Sequence, residues 1–158
     1  MISYADKVLH VTQPIRCAIF LVLLICFAVE TRADYSSIEG TWLSADGDGL
    51  IEVRMSDAGP IGSIAGSALD PQHQEPGRKD DLNPDPALRI RPLLGLTIMQ
   101  GFRPDGESRW KGGTIYDPNS GKTYKCKLQL VDANTLEVRG YIGWSWLGRT
   151  ETWTRHID

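Results

Sequence analysis

The stretch that decides the fold reads Thr123-Tyr124-Lys125-Cys126-Lys127-Leu128-Gln129-Leu130. Tyr124, Cys126, Leu128 and Leu130 alternate with Thr123, Lys125, Lys127 and Gln129, which is the period of a β-strand with one buried and one wet face. The pattern continues outward. Leu136, Val138, Gly140 and Ile142 alternate with Glu137, Arg139 and Tyr141, and Ile51, Val53 and Met55 alternate with Glu52 and Arg54. Trp110, Gly112, Thr114 and Tyr116 form another face, with Lys111 on its reverse. Turn signals separate these runs: Asp46-Gly47, Asp48-Gly49, Ala58-Gly59-Pro60, Asp105-Gly106, Pro118-Asn119-Ser120-Gly121 and Asp132-Ala133-Asn134. The spacing predicts eight strands, near 38–44, 49–56, 61–69, 96–102, 108–116, 122–131, 134–142 and 147–155. No long stretch after Ala33 repeats at 3.6 residues, and a short helical candidate lies at 86–91. A single all-β domain follows. A meander with one wet face closes naturally into an up-and-down antiparallel barrel, which removes exposed edges. A two-sheet sandwich is the competing arrangement.

One segment breaks the rhythm. Residues 70–92 carry Pro71, Pro76, Pro84, Pro86 and Pro92 together with Asp80, Asp81 and Asp85. This is one long polar loop, expected to be solvated, and loops of more than about 12 residues are often functional.

Residues 17–29 form an uncharged apolar run, preceded by Lys7 and Arg16 and followed by Glu30, Arg32 and Ala33. That layout is expected of an N-terminal export signal spanning 1–33, cut after Ala33 or, as a second choice, after Ala28. An uncleaved anchor is a further alternative, although the run is shorter than the roughly 17–25 residues of a membrane span. Acylation at Cys26 is disfavoured because Ile25 precedes it where a small residue is needed. Without residues 1–33 the chain would hold 14 basic and 18 acidic residues and one cysteine, Cys126. That excludes an internal disulfide and, with the mild acidity, argues against a nucleic-acid binder. The expected location is periplasmic or secreted.

Two resemblances add to this reading. Gly40-Thr41-Trp42 near the start and Trp153-Thr154-Arg155 near the end resemble the calycin pattern of lipocalins and fatty-acid-binding proteins. There a first-strand tryptophan meets a last-strand arginine, so Trp42 and Arg155 are the expected closure pair, with Arg149 as a rival. A longer ordered set covers the chain from residue 40 to 150. It runs Gly40-Thr41-Trp42, Asn83-Pro84-Asp85-Pro86, Pro92-Leu93-Leu94-Gly95, Trp110-Lys111-Gly112-Gly113 and Ile115-Tyr116-Asp117-Pro118. Gly121-Lys122-Thr123-Tyr124, Arg139-Gly140-Tyr141-Ile142-Gly143 and Leu147-Gly148-Arg149-Thr150 complete it. Together these look like the domain-of-unknown-function family 2147, small exported bacterial proteins. The resemblance implies a calycin-like (lipocalin-like) barrel over 34–158 and an envelope location, and no catalytic residues.

The chemical motifs are few. Asp46-Gly47-Asp48-Gly49 lacks the later ligands of a calcium loop, since Leu50 and Asp57 occupy those places, and reads as a hairpin turn. Asp80, Asp81, Asn83 and Asp85 are hard-oxygen candidates, but a solvated acidic loop with turn and capping roles explains them better. After Ala33 only His73, His156 and Cys126 are available for zinc, too few for an ordinary site. Cys126 falls on an apolar face, as a buried inert thiol would. No nucleophile elbow, phosphate loop or dinucleotide fingerprint occurs. No metal, no cofactor and no catalytic residue is expected.

What remains is aromatic. Five tryptophans and four tyrosines against a single phenylalanine follow Ala33. Tyrosine and tryptophan combine an apolar body with a polar handle, which suits ligand cavities. Trp110, Tyr116, Tyr124, Trp144 and Trp146 are therefore the candidate ligand-binding residues. The function expected is non-catalytic binding of a small apolar or amphipathic molecule in the bacterial cell envelope. The alternatives are a protein-interaction module using the 70–92 loop and a hydrolase using loop carboxylates.

Overall fold

The computed structural model describes residues 37–69 and 77–157. The expected export signal, His73 and the start of the long loop (70–76) lie outside the described residues. The compact unit Tyr35–Asp158 contains every described strand.

Nine strands appear: β1 (Gly40–Leu43), β2 (Gly49–Ser56), β3 (Gly59–Ser67), β4 (Thr97–Gln100), β5 (Arg103–Pro104), β6 (Arg109–Asp117), β7 (Lys122–Asp132), β8 (Thr135–Tyr141) and β9 (Arg149–Arg155). All pairings are antiparallel, in the order β4-β3-β2-β1-β9-β8-β7-β6, and β4 pairs with β6 to close the ring. The fold is therefore an eight-stranded up-and-down barrel, and the sandwich alternative is excluded. The short β5 is the ninth strand. It extends β4 beyond a break at Gly101-Phe102 and also pairs with β6.

That break has a physical cause. Gly101 adopts φ 78° and Gly112, opposite on β6, adopts φ 77°. Both values favour glycine. The register between β6 and β7 slips between Trp110 and Gly113, a β-bulge. The bulge reverses the expected alternation, so Gly113 and Ile115 share the inner face where Gly112 and Tyr116 were expected. Phe102 turns inward over Gly113, whose missing side chain leaves its place to the ring: a Cβ there would lie 2.4 Å from Phe102 Cδ1.

One end of the barrel is packed solid. Trp42, Val53, Met99, Phe102, Cys126, Leu128 and Leu136 are buried there with Ile38. Trp42 on β1 stands opposite Arg155 on β9. The Arg155 guanidinium lies 4.3 Å from the Trp42 ring centroid, a cation–π contact. Its nitrogens also donate to the carbonyls of Glu39 (2.7 Å), Ser37 (2.8 Å) and Ala133 (2.6 Å), while Trp42 Nε1 donates to Ile38 O (2.9 Å). Arg155 thus ties the lead-in to β1, the last strand and the β7–β8 turn together. The rival Arg149 sits at the other end of β9, next to Glu151.

Burial raises the Cys126 thiol to a pKa of about 12, so it is held protonated and unreactive as the alternation implied.

Candidate functional site

The opposite end of the barrel is hollow. A cavity of about 940 Å³ opens between the β1–β2, β6–β7 and β8–β9 turns and the segment after β3. Its deeper walls are apolar: Ile51, Ile64, Ile98, Ile115, Val138 and Trp153. These side chains come from strands all round the ring. Gly66 and Gly140 widen the space where neighbouring positions would fill it. A Cβ added at Gly140 would meet Tyr124 Cβ at 3.7 Å and Ile115 Cγ2 at 3.9 Å, ordinary contacts on the cavity side.

Polar groups line the cavity beside these walls. Tyr124, on the same inner face as Cys126, contributes an aromatic wall, while the Tyr141 ring lies on the outer face beside Lys127. Glu151 lies two residues before Trp153 on β9, hence on the same inner face. Its carboxylate accepts from Trp153 Nε1 at 3.5 Å and stands 3.8 Å from Arg149 Nε. A carboxylate and a guanidinium therefore line the route from mouth to floor. Neither was singled out as a ligand contact from sequence, yet the same period of two that marks Trp153 and Arg155 also marks both of them.

The rim is completed by the long loop, and one residue clamps it. Asp80 is fully buried, contrary to the solvated loop expected, because three partners converge on it. Arg91 Nη2 lies 2.7 Å from its Oδ2, Asn83 Nδ2 donates to the same oxygen at 2.7 Å, and Tyr116 Oη donates to Oδ1. Burial raises the Asp80 pKa, but the hydrogen bonds from Tyr116, Asn83 and Arg91 outweigh it and hold the carboxyl below its ordinary value. Tyr116 moves the other way, raised by burial and by the Asp80 carboxylate. The Arg91 guanidinium also lies 5.8 Å from the Tyr116 ring centroid. Asp85 caps the 3-10 turn Pro86–Leu88, accepting from Ala87 N at 2.9 Å, which is the capping role the sequence allowed. Further along, Gly121 in the β6–β7 turn lets the loop approach: a Cβ there would lie 2.0 Å from Leu82 O. Arg78, Leu93 and Leu94 of this clamped segment line the cavity.

The five candidate aromatics separate. Tyr124 lies within the cavity and Tyr116 at its rim, with its hydroxyl engaged by Asp80. Trp110 packs against the core next to the bulge rather than in the cavity lining. Trp144 and Trp146 project from the β8–β9 turn into solvent, outside the lining.

The acidic turn residues serve the fold. Asp46 accepts from Ser44 Oγ at 2.5 Å and from Asp48 N at 3.2 Å, and the Ser44 bond, opposed by desolvation, leads in holding its carboxyl low. Asp48 accepts from Ser67 Oγ and lies 3.7 Å from Arg78. Among the described residues no three histidine, cysteine, aspartate or glutamate side chains are grouped to hold a metal ion.

The sequence profile of a family described as "Uncharacterized protein conserved in bacteria (DUF2147)" matches residues 40–155. The chain belongs to that family. Within this DUF2147 domain lie the whole ring, the clamped loop and both ends of the barrel. One solved structure, described as "Protein HP1028 from the human pathogen Helicobacter pylori belongs to the lipocalin family", is similar at a TM-score of 0.69 and 24% identity. The match covers 78% of this chain and 85% of that one. At that identity the likeness concerns the fold, and it makes this DUF2147 barrel lipocalin-like. No curated protein matches the chain.

Proposed function

We propose that the protein binds a small apolar or amphipathic molecule in the open half of its barrel, without chemical turnover, in the bacterial cell envelope. The observation that carries this reading is the cavity of about 940 Å³, which lies near the upper end of ligand pockets of about 300–1,000 Å³. An isoleucine- and valine-lined floor accepts a hydrocarbon portion, and burying it supplies about 25 cal/mol per Å² of apolar surface. Glu151, Arg149 and Tyr124 also line the cavity and would meet the polar end of such a molecule. The envelope location is supported by the export-signal pattern at 1–33.

Against turnover stands the fate of the loop carboxylates. Asp80 is committed to Arg91, Asn83 and Tyr116, and Asp46 and Asp48 to their serines. The test is native mass spectrometry of gently purified protein, followed by organic extraction. A bound small molecule released by extraction is the expected result. Protein that is always empty, and stays empty after incubation with envelope lipid extract, would overturn the reading.

A further inference from the structure

The β8–β9 connection departs from the rest of the surface. Ile142, Trp144, Trp146 and Leu147 are between 63% and 73% exposed within six consecutive residues. The exposure is built into a fixed conformation. Arg139 Nε donates to Ser145 O at 2.9 Å, and Arg139 Nη1 donates to Thr150 Oγ1 at 2.7 Å. Lys127 Nζ lies 3.4 Å from Ser145 Oγ. Leu147 N and Gly148 N close a 3-10 turn, Ser145–Leu147, on the carbonyls of Trp144 and Ser145. Gly148 is packed so tightly that a Cβ would lie 2.5 Å from Gly140 O. Four large apolar side chains are thus held outward.

The charges nearest them on the outer face of β7 and β8 are basic. Lys127 stands opposite Arg139 and Lys125 opposite Tyr141 across β7 and β8, and Arg149, 3.8 Å from Glu151, opens β9 on the cavity side. Glu137 is the first acidic residue further down that outer face, opposite Gln129. The chain as a whole is acidic, at −3, so this basic collar is local. Ile142, Leu147 and Arg149 are at the same time part of the cavity rim.

We propose that the tip at 142–147 is a membrane-docking element that seats the open end of the barrel on an anionic lipid surface. Tryptophan favours the bilayer interface, where its ring is apolar-solvated and its N–H stays hydrated. Apolar insertion and attraction of basic residues to anionic headgroups add together. Resting on the cavity reading above, docking would place the mouth against lipid, so that an amphipathic molecule passes between bilayer and barrel without crossing water.

The test uses the barrel unit, residues 34–158, which holds every described strand and the whole described core. Vesicles of phosphatidylcholine, with and without phosphatidylglycerol, are the probe. The unit is expected to sediment with the anionic vesicles, with a blue-shifted tryptophan emission. Trp144→Ala and Trp146→Ala should each weaken partitioning roughly tenfold, and Lys125→Gln roughly fivefold, on anionic vesicles alone. Because both tryptophans are exposed, unchanged thermal unfolding of these variants separates docking from folding. Uptake of a fluorescent fatty acid by the same variants in vesicle-free buffer is read separately, so loss of docking and loss of cavity binding are distinguishable. The proposal is overturned if the unit ignores anionic vesicles at low salt, or if removing both tryptophans leaves binding unchanged. A tryptophan-dependent dimer that forms in place of vesicle binding would also overturn it.

Discussion

Truncating Arg155 to alanine removes the contact that joins the two ends of the chain across the barrel seam. The guanidinium sits 4.3 Å from the Trp42 ring centroid, a distance at which a cation–π contact contributes about 0.5–2 kcal/mol. The side-chain stem packs over the same end of the barrel, and its loss adds a fraction of a kcal/mol. Three hydrogen bonds to Glu39, Ser37 and Ala133 carbonyls are lost as well. Those carbonyls are near solvent and regain water, so each loss counts well below the value of a buried charged bond. The sum is about 1–3 kcal/mol. For a domain of this size that is a fall in Tm of roughly 4–12 °C. Urea unfolding followed by tryptophan fluorescence measures it, since Trp42 reports on its own environment. Arg155→Lys should lie between, keeping the charge and losing the planar fork. A loss within about 0.5 kcal/mol, as at ordinary surface sites, would refute the closure argument.

Three further outcomes follow from the packing and electrostatics. Asp80→Asn should cost about 1–3 kcal/mol at neutral pH; because the native carboxyl is held below its ordinary value, that contribution is full above the unfolded pKa of about 3.9 and fades as pH falls through the lower folded value. Acid titration of parent and variant checks this, and equal stabilities at neutral pH would contradict it. Cys126 should resist thiol reagents at neutral pH in the native protein and react once unfolded, and rapid native labelling would show that the thiol is not shielded. Gly113→Ala should destabilise by about 1–3 kcal/mol, since its Cβ would enter the Phe102 ring, and a neutral effect in thermal unfolding would mean that the ring does not rest there.

Much of the architecture was legible in alternation. The run at 123–130 became the core of β7, and the buried side chains Cys126, Leu128 and Leu130 are the ones its period marked. The family resemblance located the closure pair. On β6 the period misled, because a single extra residue at Gly112 shifts every following side chain to the other face. The Gly112-Gly113 pair itself was the available signal for that bulge. Asp80 could not be read from a linear chain, since its burial depends on Tyr116, 36 residues away. Whether the barrel is hollow depends on summed side-chain volumes around the ring, and alternation carries no information on volume. Glu151 and Arg149 escaped because charged residues on an inner face matter only once the interior is known to be open.

The account rests on that open interior. Its most direct test is titration of the barrel unit with the fluorescent fatty acid cis-parinaric acid, compared between the parent and Gly140→Leu. Position 140 faces the cavity between Tyr124 and Ile115, so leucine there fills the space a ligand would use while leaving the packed end untouched. The account predicts saturable uptake by the parent, at one probe per barrel, and a loss of at least roughly tenfold in affinity for Gly140→Leu with the fold retained. Equal uptake by both proteins, or none by the parent, would contradict it.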